Sequence, residues 1–266
     1  MPEQSQPVTP VPAATILLLR PGNTGLEVFM VVRHHQIDFA SGALVFPGGK
    51  ADAQDFDDAL VPYLSGADAD KDMRGAQVSA IREAFEECGI LLARAQGADS
   101  IIDGTRLADL QSFRKPMNAG DISLIEFLQQ QRLSLACEEL TRFAHWITPP
   151  MMPKRFDTHF FLALAPHDHA ALHDGYESVD SVWIRPSDAV QDALDGKRTV
   201  IFPTRLNLEK LALYDSIDAA INAAESTAIV PVLPWMEKRD DGTYVCIPEA
   251  AGYAIIEEKM PERQDQ

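Results

Sequence analysis

The chain reads as a layered domain of the α/β or α+β class, not a helical bundle or a β-sandwich. Two observations carry this reading. Short apolar runs closed by Pro and Gly are interspersed with longer stretches of helical periodicity. Of the 266 residues, 46% are hydrophobic, ample for one large domain or one domain with elaborations.

In chain order, Met1–Pro12 is Pro- and Gln-rich, with no basic start and no apolar run, and reads as a frayed terminus. Ala14–Leu19 is apolar and closes at Pro21-Gly22-Asn23; Leu26–Val32 follows, so the pair predicts a hairpin entering a sheet. Ala43–Phe46 is a third apolar segment, stopped by Pro47-Gly48-Gly49. Lys50–Arg74, rich in Asp and Ala, reads as a loop with one short helix. Ala76–Ala95 is predicted helical, as are Leu107–Phe113 and Ile122–Leu133, with Asp121 as N-cap of the last. Glu138–Trp146 ends before the breaker Thr148-Pro149-Pro150. Thr158–Ala165 and Ser181–Ile184 predict strands. Pro203–Ala224 predicts one helix with Pro203 in its first turn. The tail, Ile229–Ile247, has strand-like runs broken by Pro231, Pro234 and Asp240-Asp241-Gly242. The expected organisation is a disordered terminus over 1–12 and a domain over 13–228 with insertions at 50–75 and 98–140. An extension over 229–266 would pack on that domain.

The formal charge is −17 and the pI is near 4.7. Such a surface argues against a nucleic-acid partner, because phosphate backbones need clustered Lys and Arg. A phosphorylated ligand would have to be held by local cations or bound metal. No apolar stretch is long enough to span a bilayer, so no membrane association is expected. Cys88, Cys137 and Cys246 are widely spaced and read as reduced, buried thiols of a cytoplasmic protein.

The most informative stretch is Arg82-Glu-Ala-Phe-Glu-Glu-Cys-Gly-Ile. On a helix, Glu83, Glu86 and Glu87 fall at i, i+3 and i+4 and share one face. Val78, Ile81, Phe85, Cys88 and Leu92 fall on the opposite, apolar face. Clustered carboxylates repel one another, and a multivalent cation turns that repulsion into binding. Hard oxygen ligands suit Mg²⁺ or Mn²⁺. Taken alone, the same pattern also describes a solvated acidic face. Upstream, Phe46-Pro47-Gly48-Gly49-Lys50 sits at a strand end, where paired glycines permit positive φ and close approach of the backbone to a ligand.

Together the two motifs resemble the Nudix hydrolase family, whose signature is Gly-x5-Glu-x7-Arg-Glu-U-x-Glu-Glu-x-Gly-U, with U apolar. The second half matches at Arg82, Glu83, Ala84, Glu86, Glu87, Gly89 and Ile90. The first half departs from it. Arg74 stands where the signature glutamate belongs and Asp68 where the glycine belongs, while Gly49 lies 33 residues before Arg82. The box is therefore split by an insertion within Lys50–Arg74, and Asp52, Asp55 or Asp72 could replace the missing acid. The split box is similar to the branch that includes organellar coenzyme A diphosphatases. The similar segments are Arg33…Gly42-Ala-Leu-Val-Phe-Pro-Gly-Gly, Ala80-Ile-Arg-Glu-Ala-Phe-Glu-Glu, Trp146-Ile-Thr-Pro and Arg155-Phe-Asp-Thr-His-Phe-Phe. Asp38 and His34 depart from that branch, which has Arg and a small hydroxyl residue there.

The resemblance implies a Nudix-type α/β/α sandwich with a mixed sheet and added helices. It implies hydrolysis of a diphosphate linked to another moiety, with Glu83, Glu86 and Glu87 as ligands of Mg²⁺ or Mn²⁺. Arg82 would orient a ligand carboxylate. Gly48, Gly49, Arg33, His34, Lys50 and Arg155 are the substrate-binding candidates, and Lys154 and Arg205 are further phosphate contacts. Glu177, in a polar loop six residues before Trp183, is the candidate general base, with Asp180 behind it. The expected substrate is a nucleotide-derived small molecule, coenzyme A or acyl-coenzyme A first, with ADP-ribose or NADH as the alternative. A non-catalytic nucleotide-binding module is the competing reading, motivated by Arg74. Oligomeric state stays open, with a homodimer common in the family. His34-His35 and His167-Asp168-His169 read as strand and surface-turn residues, and Cys88 as packing.

Overall fold

The apolar run at Ala14–Leu19 becomes the central strand, β1 (Val11–Gly22), of a mixed sheet. The computed structural model describes residues 8–33, 42–169 and 178–260. The other strands are β2 (Gly25–Arg33), β3 (Leu44–Val45), β4 (Gly48–Lys50), β5 (Leu64–Ser65), β6 (Ala93–Ala95), β7 (Leu133–Ala136), β8 (Thr141–Ile147), β9 (Phe156–Leu164), β10 (Ser178–Ile184), β11 (Trp235–Arg239), β12 (Gly242–Cys246) and β13 (Glu257–Lys259). The helices are α1 (Lys71–Glu83), α2 (Gly104–Leu110), α3 (Arg114–Asn118), α4 (Leu124–Gln131), α5 (Pro186–Leu194), α6 (Phe202–Leu211) and α7 (Ile217–Ser226).

The main sheet runs β10-β2-β1-β9-β8, with β3 paired to β2 and β4 to β1. β1 and β9 are parallel, and the other pairs are antiparallel. β1 is a continuous apolar run because both of its faces are covered. Ala14, Ile16 and Leu18 face one core, which also holds Val78, Ile81 and Phe85. Leu17 and Leu19 face a second core with Ala189 of α5, Leu206 and Leu208 of α6 and Ala220 of α7. Helices on both faces of a mixed sheet make the α/β/α sandwich that the resemblance implies. Each fully buried Leu, Ile or Phe in these layers contributes about 1.5–3 kcal/mol relative to exposure.

Several element boundaries differ from the sequence reading. The acidic helix starts at Lys71 and not at Ala76, because the Asp70 side chain accepts from the Met73 N–H. It also stops early. Ala84–Cys88 is a π-helical turn closed by Gly89 at φ 72°, and residues 93–95 form β6. Leu92 is buried as the periodicity requires, but from extended chain. Lys50–Arg74 holds two 3₁₀ turns, Ala53–Phe56 and Asp58–Tyr63, besides β5. Ser123, not Asp121, caps α4, because Glu126 completes a capping box with it. Pro203–Ala224 is two helices, and Ser216 starts the second by accepting from the Ala219 N–H. β5, β7 and β6 form a small sheet behind α1. β11, β12 and β13 form another near the C-terminus. Tyr253 ties that region to the rest: its hydroxyl accepts from Trp146 Nε1 at 2.9 Å and donates to Asn207 Oδ1 at 2.7 Å. No helix among the described residues is long and apolar enough to cross a membrane.

Candidate active site

The site is built where α1 ends against β4 and β1. The last helical carbonyls need partners once the i→i−4 ladder stops. The segment after β6 supplies them. Arg114 donates to the Glu86 carbonyl from Nε at 3.2 Å and Nη2 at 3.0 Å, and Gln111 Nε2 donates to the Gly89 carbonyl at 2.9 Å. Glycine suits Gly89 because of its φ of 72°, and a Cβ there would also displace the Gln111 side chain, whose Oε1 would lie 2.6 Å away.

Arg82 is the hub. It is 3% exposed and surrounded by acids. Its Nε and Nη2 each donate to Asp55 at 2.9 Å, a bidentate pair. Its Nη1 lies 3.0 Å from Glu83 and 2.9 Å from Glu86, and Nη2 also donates to the Lys50 carbonyl at 3.1 Å. Burial alone would lower the Arg82 pKa. Its hydrogen bond to Asp55 and the charges of Glu83, Asp55 and Glu86 outweigh that and raise it, so the guanidinium stays protonated. Of the three acids left open by the sequence, Asp55 is the partner. It is 2% exposed and also accepts from the Asp52 N–H at 2.8 Å. Asp52 reaches Arg82 only at 4.0 Å, and Asp72 lies in the first turn of α1. Arg74, at the signature-glutamate position, pairs instead with Asp58 at the surface. Gly75 lets the Asp55 turn pack this closely, because a Cβ there would meet the Phe56 ring at 2.2 Å.

The Phe-Pro-Gly-Gly segment forms β4 along β1, with Gly49 opposite Ala14 and Gly48 opposite Thr15. The Gly48 N–H donates to Glu87 Oε2 at 3.0 Å. A Cβ on Gly49 would lie 2.7 Å from both carboxylate oxygens of Glu83. The two glycines therefore let a strand lie directly against the acidic helix end. The structure thus gathers Arg82, Glu83, Glu86, Glu87, Gly48 and Gly49, with Lys50 contributing its carbonyl.

The remaining candidates lie as follows. Lys50 presents an exposed side chain. Arg33 ends β2, and its buried Nε has no partner among the described residues. Arg155 is buried and donates to the Thr148 carbonyl at 2.9 Å and the Val8 carbonyl at 2.6 Å, so its guanidinium clamps main chain. Arg205 pairs with Glu209 and Glu258. Lys154 and Asp180 are exposed. His34 and Glu177 lie outside the described residues. Cys88 is fully buried, and all three cysteines are free thiols. The surface-turn reading holds for His167 but not for His169, which is buried with Nε2 2.8 Å from the Ile102 carbonyl.

The chemistry of the donor set fits a divalent cation. Asp55, Glu83 and Glu86 bring three carboxylates to one guanidinium, and Glu87 adds a fourth held by the Gly48 N–H. Burial, reinforced by Asp55 and Asp52, raises the Glu86 pKa even against the opposing pull of Arg82. Desolvation is the largest cause of that shift, and Arg82 offsets it only in part. All the donors are hard oxygens, the kind Mg²⁺ and Mn²⁺ take.

A second cluster escaped the sequence reading. His145, Asp157 and His159 are a set of three whose ligand atoms all lie within 4.8 Å of one another. Burial first, then the neighbouring His145, lowers the His159 pKa to about 4. No sequence spacing marks this trio, because only the β8–β9 register brings His145 opposite His159.

Comparison with known proteins places this geometry. A family model described as the NUDT19 Nudix domain matches residues 68–211, more than half of the chain. The acyl-coenzyme A diphosphatase NUDT19 of Xenopus laevis is 24% identical over 233 residues, covering 72% of this chain and 61% of that protein. A putative nudix hydrolase 7 of Caenorhabditis elegans is 28% identical over 200 residues, covering 75% and 60%. The chain thus spans about three-fifths of the length of the curated relatives it matches. The crystal structure of a NUDIX hydrolase from Alicyclobacillus acidocaldarius superposes with a TM-score of 0.65 at 28% identity, covering 81% of this chain and 96% of that one.

Proposed function

The chain belongs to the NUDT19 Nudix domain family, and from that premise we propose that it is a divalent-metal-dependent hydrolase cleaving the diphosphate linkage of a nucleoside diphosphate derivative, namely coenzyme A or acyl-coenzyme A. The observation that carries the reading is the Arg82–Asp55 pair, which restores through space the acid that the split box lacks. Glu83, Glu86 and Glu87 would hold the cation. When bound, that cation neutralises the diphosphate and lowers the pKa of the attacking water. Arg82 holds Glu83 and Glu86 in place, leaving little rotamer freedom to lose on binding. The Gly48 N–H fixes Glu87, and the bare backbone at Gly49 keeps the floor open to the phosphates. Two relatives named acyl-coenzyme A diphosphatase support the substrate class. The Asp55 contact favours a catalytic site over a non-catalytic module, whose motive was the missing acid. Free, buried thiols support a reducing compartment, read as the cytoplasm.

The test incubates the protein and Mg²⁺ with coenzyme A, acyl-coenzyme A, NADH, ADP-ribose and sugar nucleotides, recording product masses. Adenosine 3′,5′-bisphosphate and a 4′-phosphopantetheine are the expected products. Turnover of ADP-ribose without coenzyme A would overturn the substrate and keep the chemistry. Glu86→Gln is expected to fold and to lose at least 100-fold in kcat, about 2.7 kcal/mol of barrier; unchanged turnover would remove Glu86 from the metal set.

A further inference from the structure

We propose that His145, Asp157 and His159 form a second divalent-metal site, one that takes Zn²⁺ or a similar first-row transition metal, on the sheet face that carries the acidic helix.

The topology builds it. His145 of β8 pairs directly with His159 of β9, and Ile147 with Asp157. Asp157 and His159 are two residues apart on one strand, so their side chains share a face. His159 alternates with Phe160, and Phe161, on the His159 side, belongs to the core that packs against α1. The trio therefore lies on the sheet face that α1 covers. The row continues inward: His159 is level with Ala14 of β1, and Ala14 with Gly49 of β4. Two strand spacings separate His159 from Gly49, about 10 Å. Between them lie Ala14, which is fully buried, and Gly49, which sits under the Glu83 carboxylate, so the two clusters are separate sites on one sheet face.

The chemistry is distinct from that of the glutamates. Two imidazoles and a carboxylate form the donor set of borderline metals, not the all-oxygen set of Mg²⁺. The donor atoms lie within 4.8 Å of one another, and metal–ligand bonds of about 2.0–2.2 Å require them to close in by an ångström or so. The rings of His145 and His159 stack with centroids 4.1 Å apart. His145 Nε2 contacts Asp157 Oδ1, an outer partner able to become a ligand by a small rotation. Among the described residues the His159 ring packs against His145 and Phe161, and Asp157 and Arg142 are its charged neighbours. The Asp157 side chain is 39% exposed, which leaves an entry path and open coordination positions.

The test does not depend on turnover or on the proposed substrate. Full-length protein stripped with chelator is titrated with Zn²⁺ by calorimetry, with Co²⁺ by visible absorption, and with Cu²⁺ by electron paramagnetic resonance for nitrogen hyperfine coupling. Wild type is expected to bind with nitrogen in the coordination sphere. His145→Gln and His159→Gln are each expected to weaken that binding at least tenfold with unchanged near-ultraviolet dichroism. His167→Ala, at a fully exposed histidine, and Glu86→Gln are expected to leave it intact. Asp157→Asn gives a second readout should a histidine variant fail to fold. The proposal is overturned if no nitrogen-ligated ion binds, if the histidine and Asp157 variants bind as wild type does, or if Glu86→Gln or His167→Ala removes the signal instead.

Discussion

Asp55 lies 27 residues before Arg82, yet takes the Nε–Nη2 edge of its guanidinium. The consequence is a residue swap testable by mutation. Asp55→Asn keeps the shape and removes the charge, leaving Arg82 shared between Glu83 and Glu86 alone. Activity is expected to fall about 10–100-fold, the usual cost of losing a partner that orients a ligand. Arg74→Glu, which recreates the familiar signature glutamate, is expected neither to change wild-type activity nor to rescue Asp55→Asn, because position 74 faces Asp58 at the surface. Steady-state kinetics on the three variants decides it; rescue by Arg74→Glu would move the orienting role back to the helix. Spacing alone showed that the three glutamates share a face, since i, i+3 and i+4 do so whatever surrounds them, and it took Phe-Pro-Gly-Gly upstream to mark them and Arg82 as a candidate site. Asp55 was only one of three options. Choosing it needed the 3₁₀ turn at Ala53–Phe56, which depends on Phe56 lying over Gly75.

At the scale of elements, the acidic helix depends on how it stops. Gly89 adopts φ 72°, and the Arg114 and Gln111 side chains satisfy the released carbonyls. Gly89→Ala introduces both left-handed strain and a Cβ 2.6 Å from Gln111 Oε1. We expect a loss of about 1–3 kcal/mol in stability, read by denaturant melts, with a larger fractional loss of activity as Glu86 and Glu87 shift. A melt identical to wild type would show that the turn relaxes freely. The helix itself was visible in the periodicity, but its end was not. The apolar positions continue through Leu92, and a buried extended segment keeps that pattern as well as a helix does. The break at Asp215-Ser216 was hidden for the same reason: the residues on both sides are good helix formers, and a serine cap was the only signal.

For the whole molecule, the proposed cation site would couple metal binding to stability. Burial raises the Glu86 pKa. The sign follows: a carboxyl held above its unfolded value favours folding below that unfolded value and loses the contribution as pH rises through the folded one. Above that window the metal-free protein carries unneutralised buried charge, which a cation relieves. Saturating Mg²⁺ is therefore expected to raise Tm by on the order of 5 °C at pH 7.5, and by clearly less at pH 5. Thermal melts with and without Mg²⁺ at both pH values check this; equal shifts would separate Glu86 from the cation. A layered domain was legible from the mix of short apolar runs and longer helical stretches, and the sandwich followed only from the family resemblance. The β8–β9 trio was not, because register is a property of paired strands and not of either strand alone.

The split between Gly49 and Arg82 also bears on how much of this site needs one covalent chain. The stretch 66–69 is mostly exposed and connects two well-packed parts, with Asp55, β4 and β1 before it and Arg82 and the glutamates after it. Their joint is the main sheet itself, through the β1–β9 and β2–β10 pairings, together with the Arg82–Asp55 bridge and the seating of α1 on β1 and β4. A protease site engineered at 66–69 should therefore yield two fragments that elute as one particle and keep turning over, as a naturally divided enzyme would.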